Sequence, residues 1–198
     1  MKVFYDAEFD ERGPQIPIKP ISFAFVAEDG RELYVINEES LSNVMRSPWL
    51  SINVRPSLPI YEDQRVESGF ITSWDPGHPE YENVLSLDTL VARVREFLLS
   101  IDNLELWAHL GAYDHVALLQ LFGEMAQRPA GIPMFTHELQ QLMDTLPGTK
   151  IPSQPEIAHH ALWDARWARD VYFALAAPLP AVVLSISEPP PKKNYDWI

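Results

Sequence analysis

The N-terminal third of the chain contains three apolar runs that are rich in β-forming residues and are separated by polar or Pro-containing segments. β-Branched and aromatic residues predict strands over 1–9, 21–27 and 32–36. The last two runs flank Asp29 and Gly30, a pair that favours a tight hairpin turn. We therefore expect three successive strands, of which the last two form a hairpin.

Further along, the pattern changes to the helical period, with apolar residues every three or four positions. Leu90, Val94 and Leu98 mark one such face. The pattern predicts helices over 86–101, 112–126, 135–146 and 159–177, a strand over 104–110, and an alternative short strand over 133–137. This order of elements indicates an α/β fold: a mixed sheet with antiparallel N-terminal strands and later parallel strands, flanked by α-helices.

Two Pro-rich stretches lack a clear period. Residues 47–82 are interpreted as a long irregular excursion with a short strand over 50–54, and loops of that length are usually functional or mobile. Residues 181–198 are interpreted as an extended tail. We therefore expect a single domain over 1–180 followed by the tail.

Composition narrows the classes of function. The 198 residues contain no cysteine, which excludes disulfides, thiolate metal sites and cysteine nucleophiles. The sequence contains no apolar run of about 18 residues, the length that would predict a membrane span. The first acid, at position 6, argues against a signal peptide. We expect a cytoplasmic protein with no membrane partner. A net charge of −13 disfavours long-range attraction to nucleic acid. It does not exclude an enzyme that binds nucleic acid locally, at one end of the nucleic-acid strand, through metal ions.

Four acids lie next to apolar segments. Asp6 and Glu8 come where the first apolar run ends, and in a strand their side chains share one face. Asp114 lies between an apolar strand and an apolar helix, and Asp164 lies among apolar residues of the last helix. Each acid alone is more often solvated or near a helix N-terminus. Together they indicate an oxygen-ligand site for hard divalent cations, whose charge would relieve the repulsion between the carboxylates.

The same residues resemble the DEDDh group of 3′-5′ exonucleases, in the ribonuclease H-like superfamily. That group's D-x-E, central Asp and H-x-A-x-x-D occur in order as "DAE", "AYDHVALL" and "HHALWD". The resemblance implies a ribonuclease H-like mixed sheet and catalysis by Asp6, Glu8, Asp114, His159 and Asp164. It also implies two Mg²⁺ or Mn²⁺ ions held by the four acids, with the histidine as general base.

Two adjacent histidines, His159 and His160, are candidates for the general base. Helix geometry alone favours His160, which lies four residues before Asp164 on the same face. The spacing of the family's motif selects His159, and an imidazole suits the role because its unperturbed pKa lies near neutral pH. We predict His159 as the base and His160 as a structural residue or a secondary contact.

Residues beside the acids are predicted to contact the nucleotide: Ala7, Phe9, Trp107 and His109. Phe9 stands where the family often has Thr, and stacking of a base on its ring would contribute about 1–3 kcal/mol. Ordinary core packing is the alternative for Phe9 and Trp107. The chain has "HLGAYD" where many members have Asn a few positions before the central Asp, so the sugar and base contacts differ from the usual pattern.

The resemblance is to compact stand-alone bacterial 3′-5′ exoribonucleases, and it implies release of nucleoside 5′-monophosphates from RNA 3′ ends. The acidic balance favours short single-stranded tails or 3′ overhangs, which need few phosphate contacts. Similar family members imply a homodimer, with residues 47–82 or the tail at its interface. Three alternatives stay open: a 3′-5′ DNA exonuclease, a phosphohydrolase of mononucleotides, and a nucleotide- or RNA-binding module with little turnover.

Overall fold

The computed structural model describes residues 1–61, 64–66, 69–155 and 159–177. Within them the strands are β1 (Lys2–Asp10), β2 (Lys19–Ala27), β3 (Glu32–Asn37), β4 (Gln64–Val66), β5 (Gly69–Ile71), β6 (Val84–Leu85), β7 (Glu105–Ala108) and β8 (His137–Glu138). The helices are α1 (Leu41–Arg46), α2 (Pro48–Asn53), α3 (Leu87–Leu99), α4 (Ala112–Gln120), α5 (Leu139–Thr145) and α6 (Ala161–Ala176). Short 3₁₀ turns lie at Glu38–Ser40, Arg55–Ser57, Tyr81–Asn83 and Met125–Gln127.

A mixed sheet with the strand order β6-β3-β2-β1-β7-β8 forms the centre of the fold. The pairs β1–β2 and β2–β3 are antiparallel, whereas β3–β6, β1–β7 and β7–β8 are parallel. Gly30, with a φ of 90°, closes the predicted hairpin between β2 and β3. The predicted α/β class, with antiparallel strands first and parallel strands after, is confirmed.

Side chains of β1 alternate between the two faces of the sheet. Val3, Tyr5 and Ala7 belong to a core cluster with buried residues of α3 and α4, while Phe4 packs with residues of α6 such as Val171. Since Asp6 and Glu8 have the same parity as Phe4, their side chains lie on the α6 face.

Helix α6 approaches that face closely because small side chains line its contact surface. Ala161, Ala165 and Ala168 are buried there. Asp164 lies in the first turn of the helix, so the same approach carries its carboxylate toward β1.

The strand predicted over 1–9 is confirmed as β1, which continues to Asp10, so Asp6 and Glu8 lie inside a central strand. Two sequence predictions need correction. The short strand predicted over 50–54 is wrong, because Ser47 caps a helix with Pro48 at its first position, and Pro suits that position. The helix predicted over 112–126 ends at Gln120, before Gly123 with its φ of 90°.

Residues 47–61 pack as an ordered layer against the sheet and α6. Leu50, Val54 and Leu58 are buried in one cluster with Ala161 and Ala165. The later part of the 47–82 excursion lies partly outside the described residues, and the predicted tail 181–198 lies wholly outside them. None of the helices in the described part of the chain has the length and apolar character needed to cross a membrane.

Candidate active site

A cavity of about 390 Å³ opens between β1, α6 and the first residues of α4. Its lining residues are Tyr5, Asp6, Ala7, Glu8, Phe9, Trp49, His109, Leu110, Asp114, Gln154, Pro155, His159, Asp164, Trp167 and Ala168. All five residues predicted to catalyse the reaction are among them. The sequence-distant motifs are therefore brought together around one space.

Three of the carboxylates form a compact group. One ligand oxygen from each of Asp6, Glu8 and Asp164 lies within 4.8 Å of the other two. The first two lie side by side on one face of β1, just before a register shift between Glu8 and Phe9 in the pairing with β2. The third comes from the first turn of α6, where the Oδ2 of Asp164 accepts a hydrogen bond of 3.2 Å from the backbone N–H of His160.

The fourth carboxylate comes from α4 and lines the same cavity. Oδ1 of Asp114 accepts a hydrogen bond of 2.8 Å from the backbone N–H of Ala7, the residue between Asp6 and Glu8. Asp114 is buried, with 7% of its surface exposed. This bond fixes the start of α4 against the strand that carries the first two acids.

The turn before α4 is held by Glu138 of β8. Its carboxylate accepts hydrogen bonds from the backbone N–H groups of Leu110 (2.8 Å), Gly111 (3.0 Å) and Gln140 (3.0 Å). Leu110 has a φ of 54°, a left-handed conformation that is rare for this residue type. The carboxylate therefore stabilises a strained turn that leads directly to Asp114.

Burial raises the pKa of each acid in the group, and repulsion by neighbouring carboxylates adds to it for Asp6 and Glu8. Burial is the largest cause for Glu8, with a pKa raised to about 8, and the charges of Asp164 and Asp114 add to it. For Asp6, burial and then the charges of Asp114, Glu8 and Asp164 raise the pKa well above its ordinary value. A site that protonates its own carboxylates near neutral pH fits a cation, which would replace those protons.

The other two acids are partly compensated by backbone donors. Burial raises the pKa of Asp114 to about 6, while the hydrogen bond from Ala7 lowers it. Burial also raises the pKa of Asp164, and the backbone N–H of His160 acts in the opposite direction. Asp114 is therefore ionised at a lower pH than Glu8.

His159 lies at the rim of the cavity. Its Nδ1 is 3.8 Å from Oε1 of Glu8, and its side chain is 40% exposed. Its φ of 60° places it in the left-handed region, which costs of order 1–3 kcal/mol unless the surroundings enforce it. In this left-handed conformation the ring lies beside the carboxylate of Glu8.

His160 points away from the cavity. It is buried, its Nε2 lies 3.1 Å from Oε1 of Glu80, and its ring stacks on Tyr34 at 5.0 Å between ring centroids. His159, in contrast, has the partial exposure and the position beside Glu8 that a base would need. The geometry supports the choice of His159, whose role stays a prediction.

The predicted nucleotide contacts divide into two sets. Ala7, Phe9 and His109 line the cavity, and the ring of Phe9 stacks on Tyr113 at 6.2 Å between centroids. Trp107 is not among the lining residues: its ring packs between His137, at 4.5 Å, and Tyr172, at 4.7 Å. The structure therefore gives Trp107 the packing role that was the alternative interpretation.

Several residues at the site were not identified from the sequence, among them Trp49, Leu110, Ser57 and Glu138. Trp49 and Leu110 line the cavity, while Ser57 and Glu138 hold its strained backbone. Trp49 and Ser57 belong to the aperiodic stretch, which has no pattern that would point to particular residues. Glu138 could have been noticed as an acid following a short apolar segment, the same signal that identified Asp6.

The comparisons with known proteins agree with this geometry. No family model matches the sequence. Two curated proteins, each named a 3′-5′ exoribonuclease and each from a strain of Mycobacterium tuberculosis, are 39% identical over 166 residues, which cover 84% of this chain and 88% of each relative.

The fold has a counterpart among solved structures. S. pombe Pop2p, in a form bound to Mg²⁺ and Mn²⁺, aligns with a TM-score of 0.51 and 13% identity over 89% of this chain and 83% of that one. At this identity the likeness concerns the fold. The chain has the ribonuclease H-like fold and belongs to the family of 3′-5′ exoribonucleases that the mycobacterial relatives represent.

Proposed function

We propose that the protein is a metal-dependent 3′-5′ exoribonuclease of the DEDDh type, which removes nucleoside 5′-monophosphates from RNA 3′ ends. One observation carries the proposal: three carboxylates within 4.8 Å of one another share a cavity with an imidazole 3.8 Å from one of them. The relatives named 3′-5′ exoribonuclease support the same activity.

The acids fit two hard divalent cations, Mg²⁺ or Mn²⁺. Asp6, Glu8 and Asp164 offer oxygens close together, and Asp114 supplies a fourth carboxylate. Burial is the largest cause of the raised pKa values of Asp6 and Glu8, and repulsion between the acids adds to it; bound cations would offset both effects. When bound, such ions polarise the phosphoryl oxygens, lower the pKa of a water and stabilise the leaving oxygen.

The remaining work falls to side chains around the acids. His159 accepts the proton of the attacking water at its ring nitrogen, for which its partial exposure gives it room. Glu8 lies beside that imidazole, with 3.8 Å between its Oε1 and the Nδ1 of His159. Phe9 offers an apolar wall for the terminal base, and the backbone of Ala7 stays engaged with Asp114.

The substrate that we propose is a short single-stranded tail or a 3′ overhang. The cavity is about 390 Å³, in the range of pockets that hold one small ligand, so it suits a terminal nucleotide. A chain with net charge −13 has little attraction for long stretches of phosphate backbone. Binding of only the last few nucleotides requires the fewest contacts between phosphates and positively charged groups.

The test uses a 5′-labelled RNA duplex with a 3′ overhang and its DNA counterpart, with Mg²⁺ or Mn²⁺ and with chelator. Wild type, Asp6→Ala and His159→Ala are compared with Asp170→Asn, which removes an exposed acid from α6. The proposal expects metal-dependent shortening from the 3′ end of RNA by wild type and Asp170→Asn alone. Faster shortening of DNA would overturn the substrate, and binding of nucleotide without shortening of either strand would overturn the activity.

We also propose that the protein acts as a homodimer in the cytoplasm, with residues 47–82 or the tail at the interface. Residues such as Trp49 and Ile52 expose apolar surface on α2, 54% and 73% respectively. Light scattering at the concentration used for the assay tests the dimer, and a monomeric mass would refute it. Cell fractionation tests the compartment.

A further inference from the structure

His159 is held in its strained conformation by a residue of the 47–61 layer. The hydroxyl of Ser57 lies 2.6 Å from the backbone carbonyl oxygen of His159, although 102 positions separate the two residues. A left-handed conformation at a non-glycine residue persists only where the surroundings enforce it. A short hydrogen bond to the carbonyl of that residue is such a constraint.

The hydroxyl is itself firmly placed. Ser57 is buried at the end of the 3₁₀ turn Arg55–Ser57, and its Oγ also lies 2.7 Å from the carbonyl oxygen of Val54. A hydroxyl has one proton, so the two carbonyls share it. Val54 and Leu58 on either side are buried against the sheet and the start of α6.

The imidazole receives a second restraint from the same layer. The ring of Trp49 meets the ring of His159 edge to face, with 5.0 Å between centroids. Nδ1 of His159 also lies 3.8 Å from Oε1 of Glu8. The backbone and the ring of this histidine are thus both restrained by α2 and the turn after it.

We propose that Ser57 is a positioning residue that fixes His159 for proton transfer. The inference rests on the proposed function, in which His159 is the base, and it assigns a role to the layer between the third strand and the third helix of the fold. Ser57 does not touch the substrate. It acts through the carbonyl of His159, and its loss would let the backbone relax and the ring leave the carboxylates.

The kinetic experiment compares Ser57→Ala with Ser51→Ala, a matched change on α2 with no side-chain hydrogen bond among the described contacts. Misplacement of a reacting group by about 1 Å can lower a rate up to about 100-fold. We expect Ser57→Ala to lower kcat on overhang RNA about 10-fold, with KM nearly unchanged, and Ser51→Ala to match wild type. Ser57→Thr, which keeps the hydroxyl, should retain most of the activity.

A double-mutant cycle separates positioning from general damage to the fold. In a His159→Ala background, Ser57→Ala should cause no further loss of kcat. An equal loss in both backgrounds would overturn the proposal, because the serine would then act independently of the histidine. Thermal unfolding of each variant ensures that folded proteins are compared.

A nuclear magnetic resonance experiment tests the same proposal without relying on enzymatic activity. The imidazole signals of His159, identified by their absence in His159→Gln, should shift or broaden in Ser57→Ala and stay in place in Ser51→Ala. Unchanged signals in Ser57→Ala would overturn the proposal. If wild type fails to shorten RNA, the proposed function is wrong, and the same spectra still decide whether Ser57 positions the ring.

Discussion

Oδ1 of Asp114 accepts a hydrogen bond of 2.8 Å from the backbone N–H of Ala7, so two predicted motifs are joined directly. Ala7 lies between Asp6 and Glu8 on a central strand, and Asp114 lies in the first turn of α4. One oxygen of Asp114 therefore stabilises the fold by accepting this hydrogen bond, while the negative charge of the carboxylate is available to bind a cation. Substitutions can separate the hydrogen bond from the charge.

We expect Asp114→Asn and Asp114→Ala to differ in stability and to agree in activity. The Asn amide oxygen can still accept from Ala7, so the free energy of unfolding should change by less than about 1 kcal/mol. Ala leaves a buried N–H without a partner, which costs about 1–3 kcal/mol. Both should lower RNA shortening at least about 100-fold, because loss of even an outer partner of a metal ligand costs 10–100-fold.

Urea denaturation of the two variants, followed by the RNA assay on each, checks this prediction. Asp170→Asn serves as the control, since that carboxylate is exposed on α6. Equal stability of the Asn and Ala variants would mean that the bond to Ala7 contributes nothing to folding. Near-normal activity of Asp114→Asn would remove Asp114 from the metal site.

The sequence predicted the strands well where a local pattern carried the signal, and the acids that it singled out line one cavity. Runs of β-forming residues around a hairpin signal placed β2 and β3, and the serine start with a periodic face placed α3. The acids were found because a charge beside an apolar run is unusual. Only the resemblance, and not the spacing alone, preferred His159 over His160.

The rest depended on contacts between residues far apart in the chain. The φ of 60° that turns His159 toward Glu8 follows from tertiary restraints that no helical spacing expresses. Trp107 has the right position on its strand for a nucleotide contact, yet its ring packs with His137 and Tyr172. The 50–54 segment looked like a strand because it is rich in apolar residues, and the cap at Ser47 decides for a helix.

We expect the metal-free protein to lose stability as the pH rises from about 4.5 to about 8. Glu8 has a pKa of about 8 in the folded protein, above the ordinary 4.5 that it has when unfolded. Between these values the folded state binds more protons, so the free energy of unfolding falls with rising pH. Asp6 and Asp114, with raised pKa values, act in the same direction.

Urea denaturation in chelator between about pH 6.5 and about pH 8 isolates this effect. Burial lowers the pKa of His115 and His137, which adds the opposite slope at lower pH. Mn²⁺ should stabilise the protein more at the upper end of the range, because bound cations replace the protons. Glu8→Gln should flatten the slope in chelator. A stability that rises with pH over this range would contradict the raised pKa of Glu8.

We expect His159→Ala to lose mainly activity and His160→Ala to lose mainly stability. His160 is buried between Tyr34 and Glu80, so its removal should destabilise the fold by about 2 kcal/mol or more through lost packing and hydrogen bonding. His159 is partly exposed, so His159→Ala should leave stability within about 1 kcal/mol. Activity per folded molecule should fall about 100-fold or more for His159→Ala and much less for His160→Ala.

Denaturation curves and the RNA assay together decide this pair. The activity of each variant is normalised to its folded fraction at the assay temperature. If His160→Ala lost activity as severely as His159→Ala while staying folded, the assignment of the base would be reversed.

Glu138→Ala should loosen the turn that leads to Asp114. Three backbone N–H groups lose their acceptor, and bonds to charged groups are worth about 1.5–3 kcal/mol each. Because neighbouring water can replace part of this, we expect a net loss of about 2 kcal/mol in the free energy of unfolding. Hydrogen exchange of the Leu110 and Gly111 amides should become faster.

Asp144→Ala is the matched control for that change. Asp144 accepts a hydrogen bond of 2.7 Å from the side chain of Gln140 on the exposed surface of α5. Its loss should leave both the stability and the exchange of the Leu110 amide close to wild type. An unchanged exchange rate in Glu138→Ala would show that the turn holds its strained conformation without the carboxylate.

Phe9→Leu tests whether an aromatic wall of the cavity binds the terminal base. Phe9 lines the cavity and stacks on Tyr113, so its ring has a position from which a base could be contacted. Leucine keeps apolar volume but offers no π-face, and stacking is worth about 1–3 kcal/mol per base. We expect KM for overhang RNA to rise about 10-fold while kcat changes little. Phe97→Leu, a change in the same core cluster against Phe25, should leave KM unaltered. Equal KM values for the two variants would mean that Phe9 only packs, because the loss of a base contact cannot leave substrate affinity unchanged.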